Sequence, residues 1–327
     1  MLKTYLAAGL LFTAFPLFAQ EPETADTIVT EETTVEDPME EDNYPLLSGT
    51  FKATRIINGH STETLNKGEL EFRVEHRFGD FAGSNGGVQQ WFGLDNSSDI
   101  RIALEYGLTD KLMIGIGRSK GTGRPYRSLL DGLVKMKIAE QGKSPVAITA
   151  LGMMTYTYMK ASTNEYDVAY FPEQAYRFAY ATQINISRQV TRRFSAAVMP
   201  TFVYRNYVAA DDVNALFALG GAVKYGITKQ MGIILEYYHS FHDADIRKDN
   251  MQSFGVAVEW ITFGHTFTVN LTNSKGFGET QFIPYTYENW LKGQTEQGFT
   301  PGDRSVQVLS TQRLWFDKNN PVIGEGK

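Results

Sequence analysis

The stretch GELEFRVEHRF, residues 68–78, alternates strictly between apolar and charged side chains. Its even positions carry Leu70, Phe72, Val74, His76 and Phe78, and its odd positions carry Glu71, Arg73, Glu75 and Arg77. Because successive side chains of a β-strand point to opposite faces, a strand here has one apolar and one charged face. A soluble domain would bury the apolar face, whereas an outer-membrane barrel turns that face toward lipid and encloses the charges.

The same alternation recurs from Gly68 to Phe316 and gives about twelve candidate strands of about ten residues, the length that a tilted membrane strand needs. Short connections fall near residues 109–110, 141–142, 189–192, 228–229 and 263–264. Longer connections fall at residues 79–98, 119–126, 160–175, 206–213, 241–250 and 275–304. Short turns at one rim and long loops at the other are typical of membrane barrels. The sequence therefore predicts an all-β fold, a transmembrane antiparallel up-and-down β-barrel, over residues 68–316.

The N-terminal residues have the pattern of a secretory leader. In MLKTYLAAGLLFTAFPLFAQ, Lys3 provides the positive charge, and the apolar core is too short to span a bilayer as a helix. We predict a signal peptide over residues 1–19, with a membrane anchor as the alternative. A secreted chain of this kind is expected in the outer membrane of a Gram-negative bacterium.

The segments on either side of the barrel have different compositions. Residues 20–46 are rich in carboxylates and have no aromatic side chain up to residue 43, so they are predicted to be a disordered acidic linker. Residues 47–67 are predicted to be a periplasmic N-terminal segment, and residues 317–327 a C-terminal tail. Within the former, residues 50–57 are expected outside the barrel wall, against the periplasmic mouth or just inside it.

Overall composition restricts the function classes. The chain has 327 residues, 37 acidic and 31 basic side chains, and a net charge of -6. This mild acidity argues against a nucleic-acid partner. The chain has no cysteine, which excludes disulfides, thiolate metal sites and thiol catalysis. No cofactor is indicated.

Aromatic side chains occur near both ends of the candidate strands. Those near the short turns are Tyr106, Phe194, Tyr225 and Trp260. Those near the long loops are Phe78, Tyr158, Phe178, Tyr204 and Tyr237. Two such belts match the two interfaces of a bilayer. A soluble β-sandwich or barrel is the alternative, because aromatic residues favour strands in general. The leader and the repeated alternation favour the membrane barrel.

The charged parity of the strands predicts a polar lumen. The candidate lining residues are Glu71, Arg73, Glu75, Arg77, Arg101, Glu105, Lys135, Arg177, Arg205, Lys224, Glu236 and Glu259. Both signs are present, and neighbouring strands lie about 5 Å apart, so these groups can pair across strands. A lumen with paired charges could be narrow or closed.

One loop carries residues that could bind a metal. In HSFHDADIRKD, the candidate ligands are His239, His242, Asp243 and Asp245. Imidazole and carboxylate groups at this spacing suit a divalent cation, although an ordinary polar loop accounts for the same residues. His239 and Ser240 are adjacent and point to opposite faces, so the pattern provides no serine nucleophile with a histidine base, and no enzyme is predicted.

Several pieces of the chain resemble a known family. They are IINGHSTETLNKGELEFRVEHRFGD (56–80), WFGLDNSSDIRIALEYGLTDKLMIGIGRSK (91–120) and MPTFVYRN (199–206). Taken together, the motifs NGHS, HRFG, FGLD, YGLTD and IGIGRS resemble the membrane-bound β-barrel domain family found mainly in Bacteroidota. The resemblance covers most of residues 47–275. It implies an outer-membrane barrel and transfers no catalytic residue.

The expected role is that of a channel or binding barrel for small polar solutes, with outer-membrane lipid as the surrounding partner. The alternatives are a non-conducting structural or docking barrel, whose acidic linker recruits a periplasmic protein, and a barrel enzyme. Residues 276–290, GFGETQFIPYTYENW, are rich in aromatic side chains for a loop. They could fold into the lumen as a plug, contact a ligand or form a protruding hairpin.

Overall fold

The computed structural model describes a large part of the chain. The described residues are 50–81, 87–96, 99–121, 126–209, 212–242, 247, 249–262, 265–288, 290 and 305–315, the last range and residue 96 by their backbone alone. The predicted signal peptide, acidic linker and C-terminal tail lie outside these residues.

Twelve strands within the described residues form a closed antiparallel barrel. They are β1 (Glu69–Asp80), β2 (Asp99–Thr109), β3 (Leu112–Lys120), β4 (Ser128–Ala139), β5 (Ala147–Thr157), β6 (Phe178–Gln189), β7 (Phe194–Arg205), β8 (Ala215–Gly226), β9 (Met231–Phe241), β10 (Ser253–Thr262), β11 (His265–Thr272) and β12 (Ser305–Trp315). Each strand pairs with its neighbours in sequence, and β1 closes the barrel against β12 through pairs such as Leu70 with Leu314. The predicted fold class is therefore confirmed.

Helices are short in the described part of the chain. An α-helical turn, α1, covers Glu279–Phe282, and 3-10 segments cover Val88–Asn96 and Gln174–Arg177. None of the helices among these residues has the length and apolar character needed to span a bilayer.

Burial alternates along the strands with the two-residue period of the sequence. In β9, for example, Ile233, Leu235 and Tyr237 are exposed, whereas Glu236 and Tyr238 are buried. Because the exposed parity is apolar and the buried parity carries the charges, the barrel has an apolar outer wall and a polar interior. Among the rings predicted to form the two belts, those on the exposed outer wall are Tyr106, Tyr225, Trp260, Tyr158, Tyr204 and Tyr237.

Residues 50–66 form a hairpin inside the barrel, here called the inner hairpin. Its arms pair between Arg55 and His60, and a turn is closed by the N–H of Ile56 donating to the carbonyl of Gly59 at 2.9 Å. Side chains of the hairpin bond to residues on strands β1, β2, β6, β10 and β11, so only a position within the barrel satisfies all of these contacts.

The inner hairpin lies deeper than the sequence pattern suggests. Residues 50–57 were expected outside the wall, at the periplasmic mouth or just inside it. Instead the hairpin runs from the short-turn rim, where the N–H of Asn66 donates to Glu69, to the long-loop ends of β10 and β11, where Asn58 bonds to Ser253 and Thr272. The physical reason is that the polar wall supplies hydrogen-bond partners for the hairpin along its whole length, which a surface position would leave to water.

A second segment enters from the long-loop rim. Residues 274–288, here called the loop insert, follow β11 and contain α1, which packs against β5, β6 and β7. The Phe282 ring meets the Tyr238 ring edge to face, with centroids 4.9 Å apart. The plug alternative for residues 276–290 is therefore the one that the structure shows for most of this segment.

Candidate functional site

The candidate site is the polar interior and the two segments that fill it. Eleven of the twelve proposed lining residues are buried strand residues: Glu71, Arg73, Glu75, Arg77, Arg101, Glu105, Lys135, Arg205, Lys224, Glu236 and Glu259. Arg177 lies apart from them. It ends a 3-10 segment at the long-loop rim, is half-buried, and donates to the carbonyls of Thr157 and Met159 at 3.1 and 2.8 Å.

A chain of alternating charges crosses the interior. The Arg101 guanidinium pairs with Asp131 of β4 and with Glu75 of β1, both at 2.6 Å. Glu75 also pairs with Arg55 of the inner hairpin at 3.1 Å. Arg55 in turn lies 3.7 Å from the carboxylate of Glu279 in the loop insert. The barrel wall, the inner hairpin and the loop insert are therefore joined by one network of buried ions.

Two further ion pairs belong to the wall. Arg73 pairs with Glu71 on the same strand, and the hydroxyl of Thr54 donates to Glu71 at 2.9 Å. Lys224 of β8 pairs with Glu259 of β10 across the interior side of β9. These contacts pair charges that are removed from water, where an unpaired charge would be costly.

The tip of the inner hairpin is held by one carboxylate. The backbone N–H groups of Ile57, Asn58 and Gly59 all donate to Glu236 of β9, at 3.1, 2.7 and 3.2 Å. The side-chain oxygen of Asn58 accepts a hydrogen bond from Arg77 at 2.7 Å. Since these backbone donors come from consecutive residues, the tip forms a small anion-binding nest. The Glu236 carboxylate of the barrel wall occupies this nest.

The arms of the inner hairpin are held by a lysine and a serine. Lys135 of β4 donates to the carbonyl of Thr54 at 3.0 Å and to that of Glu63 at 2.6 Å. Near the short-turn end of β6, the Ser187 hydroxyl meets those of Thr50 and Thr62, each at 2.5 Å. Lys135 therefore bridges the two arms, and Ser187 joins them closer to the short-turn rim.

Two small cavities lie beside the inserts. A cavity lined by residues that include Thr50, Lys224 and Glu259 has a volume of about 10 Å³, and so does one beneath the long loops that is lined by residues including Thr155 and Arg205. Each holds about one water molecule. The inserts thus occupy the interior in this conformation.

Two of the four predicted metal ligands, His239 and His242, lie among the described residues. Asp243 and Asp245 lie outside the described residues, among which no group of three or more His, Asp or Glu side chains is arranged to hold an ion. His239 is exposed on the outer wall beside Phe241, whereas His242 bonds to the inward Ser240 at 3.4 Å. The two imidazoles thus have different surroundings. The Ser240–His242 distance also exceeds the reach of about 2.6–3.2 Å for an activated serine.

Sequence reasoning missed the residues of the inner hairpin, above all Arg55, Asn58 and Gly59. The Asn-Gly dipeptide at 58–59 is a turn signal that marks the tip. No sequence signal shows that the turn is enclosed by the barrel, because its contacts reach residues up to 214 positions away.

The closed barrel with an apolar outer wall and an ionised interior defines an outer-membrane β-barrel protein. The chain matches, over residues 51–301, the family described as a membrane bound beta barrel domain (DUF5777), and it belongs to that family. The predicted family and the outer-membrane location are therefore confirmed. No curated protein matches the chain.

The chain is similar, at low identity, to several solved outer-membrane structures. The KdgM porin is 9% identical with a TM-score of 0.42, over 76% of this chain and 99% of the porin. An outer membrane channel from Pseudomonas putida F1 is 12% identical with a TM-score of 0.43, over 77% and 98%. Omp33 of Acinetobacter baumannii is 8% identical with a TM-score of 0.39, over 76% and 99%.

Proposed function

We propose that the protein is an outer-membrane channel for small polar solutes that the inner hairpin holds closed. The observation that carries this proposal is the chemistry of the wall beneath the hairpin. Strands β1, β2, β4, β6, β9, β10 and β11 present charged or hydroxyl groups to the hairpin.

A permanently filled interior would not need such a wall. Replacing buried ion pairs by packed apolar side chains is often neutral or stabilising. Stability alone therefore does not explain why a permanently filled interior would carry so many charged side chains. Some wall groups also stay without a protein partner: among the described residues, none bonds to Glu105 Oε1, Gln183 Oε1 or Asn185 Oδ1. A wall of this kind suits a lumen that water fills when the hairpin leaves.

The hairpin is held by apolar packing of Phe51, Ile56 and Ile57 and by polar contacts that water can replace. The groups of Glu236, Lys135 and Ser187 that bind it would each be hydrated in an open lumen. For these contacts, release exchanges protein–protein for protein–water hydrogen bonds, a change of small net free energy for each bond. Exposure of Phe51, Ile56 and Ile57 opposes release and favours the closed state. With the short turns in the periplasm, as in membrane barrels generally, the hairpin would leave on the periplasmic side.

A single substitution tests whether the hairpin closes the channel. A Cβ atom added at Gly59 would lie 1.9 Å from the Tyr238 hydroxyl, so Gly59→Val should expel the hairpin tip. The matched control is Gly152→Val on the outer wall, where an added Cβ meets nothing within 4 Å. We expect Gly59→Val to conduct ions in planar bilayers, and the wild type and Gly152→Val to show much less current.

The position of the hairpin is measured separately in the same preparations. Ser61 is buried, and the chain has no cysteine, so a Ser61→Cys reporter labels with an impermeant maleimide only when the hairpin has moved. A Gly59→Val barrel that labels at position 61 yet carries no current would contradict the channel. That outcome would favour the non-conducting barrel, whose acidic residues 20–46 recruit a periplasmic partner.

A further inference from the structure

The inner hairpin shows which ligand chemistry the barrel wall binds. Several of its charge-assisted wall contacts go to neutral groups of the polypeptide backbone. Glu236 accepts three backbone N–H groups, and Lys135 donates to two backbone carbonyls. Hydrogen bonds that involve one ionised partner are shorter and stronger than neutral ones, so these charged residues are the main anchors.

The two anchors lie on opposite walls. Lys135 is on β4 and Glu236 is on β9, and the closed strand order separates β4 from β9 by four strands on one side and six on the other. One wall therefore offers an acceptor for N–H groups, and the facing wall offers a donor for carbonyl oxygens. A polypeptide backbone presents N–H donors and carbonyl acceptors as separate groups that alternate along the chain, whereas a neutral sugar presents ether oxygens and hydroxyls that each donate and accept.

The surrounding wall groups match small polar side chains. Ser187 bonds to threonine hydroxyls, and Arg77, Ser253 and Thr272 surround the amide of Asn58. The exceptions are the ion pair between Arg55 and Glu75 and the apolar side chains of Phe51, Ile56 and Ile57, which share a buried cluster with wall residues such as Met199 and Ile234. The interior thus offers polar partners for a backbone with hydroxyl and amide side chains, beside one apolar patch.

From these contacts we infer that the inner hairpin occupies the binding site of the transported solute, and that this solute is a short polar peptide. The inference rests on the proposed channel function. A peptide that enters the opened lumen would present N–H groups to Glu236 and carbonyl oxygens to Lys135 in place of the hairpin's own.

The test uses the full chain carrying Gly59→Val, reconstituted in planar bilayers. The probes are a capped peptide of threonine, serine, asparagine and glycine and, as the competing class, an uncharged glucose hexasaccharide. We expect the peptide to block the current, and Glu236→Gln or Lys135→Met to weaken that block about tenfold, the loss expected when a charge-assisted hydrogen bond is removed. Lys229→Met, an exposed lysine at a short turn, is the matched control and should leave the block unchanged.

Calorimetric titration of the same peptide into the detergent-solubilised variant gives a second readout that needs no current. Peptide binding that is weakened by both anchor variants supports the site. A hexasaccharide that blocks as well as the peptide, or peptide binding unaffected by both variants, would overturn it. A barrel that conducts but binds no peptide overturns the peptide site and leaves the channel standing. A barrel that binds peptide without conducting overturns the channel and leaves the site.

Discussion

Arg55 of the inner hairpin and Glu279 of the loop insert bring a guanidinium nitrogen and a carboxylate oxygen to 3.7 Å, deep within the barrel. Arg55 also donates to the carbonyl of Phe277, and His60 Nε2 lies 4.0 Å from the same Glu279 carboxylate. The hairpin enters from the short-turn rim and the insert from the long-loop rim. This contact therefore couples two elements that arrive from opposite sides of the membrane.

Removing Arg55 should loosen both inserts together. In Arg55→Met the carboxylate of Glu279 loses its cationic partner, and Glu75 keeps only Arg101. Breaking a buried ion pair from one side costs about 3–5 kcal/mol. We expect faster hydrogen exchange for the amides of residues 54–61 and also of residues 277–282. Arg188→Met, an exposed arginine of β6, is the control. Faster exchange in the hairpin alone would show that the two inserts move independently.

Asn58 should contribute to stability through its three side-chain hydrogen bonds. Asn58→Ala removes the acceptor for Arg77 and the donor to Ser253 and Thr272, and it leaves a buried guanidinium short of a partner. The expected loss is about 1–3 kcal/mol. The midpoint of thermal unfolding in detergent, followed by tryptophan fluorescence, measures it. Asn164→Ala, which removes a turn contact to the N–H of Tyr166 in an exposed loop, should leave the midpoint nearly unchanged. Equal midpoints for the two variants would argue against a structural role for the tip.

Acidification should weaken the docking of the inner hairpin through His60. This residue lies on the hairpin, outside the membrane-spanning strands, and burial together with nearby cations holds its pKa well below the ordinary value. The cations are Arg55, Lys135, Arg73 and Arg101. Because the released hairpin binds the proton more tightly than the docked one, the stabilisation is present above the ordinary pKa of about 6.5 and is lost as pH falls below it.

The measurement is labelling of Ser61→Cys between about pH 7.5 and pH 5, a range that brackets the ordinary histidine pKa. Burial raises the pKa of the Glu63 and Glu279 carboxyls, so these two groups favour the docked state as pH falls and oppose the histidine. His60→Gln isolates the histidine contribution, and we expect labelling of this variant to rise less on acidification. Identical pH profiles with and without His60 would contradict the prediction.

Adjacent residues of β11 should report opposite environments. Val269 is about half exposed on the outer wall, and Thr268 is buried within the barrel. Since the chain has no cysteine, Val269→Cys and Thr268→Cys each accept a single spin label. We expect the label at 269 to be relaxed by oxygen, which dissolves in acyl chains, and the label at 268 to be shielded from it. Contact of position 269 with a water-soluble relaxant would reverse the assignment of the two faces.

The barrel could be predicted from the sequence because the patterns that define its strands lie within short stretches of the chain. The alternation of apolar and charged residues predicts the two faces of each strand, as in Leu70 to Phe78. The lengths of the connections predict which strand ends lie at which rim. The charged residues at alternate positions of β1 and β2 follow the same two-residue period. Their burial can therefore be predicted without reference to residues that are distant in the chain.

Only the tertiary structure shows that the interior is filled by the inner hairpin and the loop insert. A hairpin such as residues 50–66 satisfies its polar groups on strands far away in the chain, as Asn58 does with Thr272, and no local pattern records such partners. The sequence by itself determined a wall with apolar side chains outside and charge inside, because alternation depends on neighbouring residues. Only the three-dimensional arrangement decided that the charged interior is filled, because contacts such as those of Asn58 with Glu236 and of Arg55 with Glu279 join segments more than 100 residues apart.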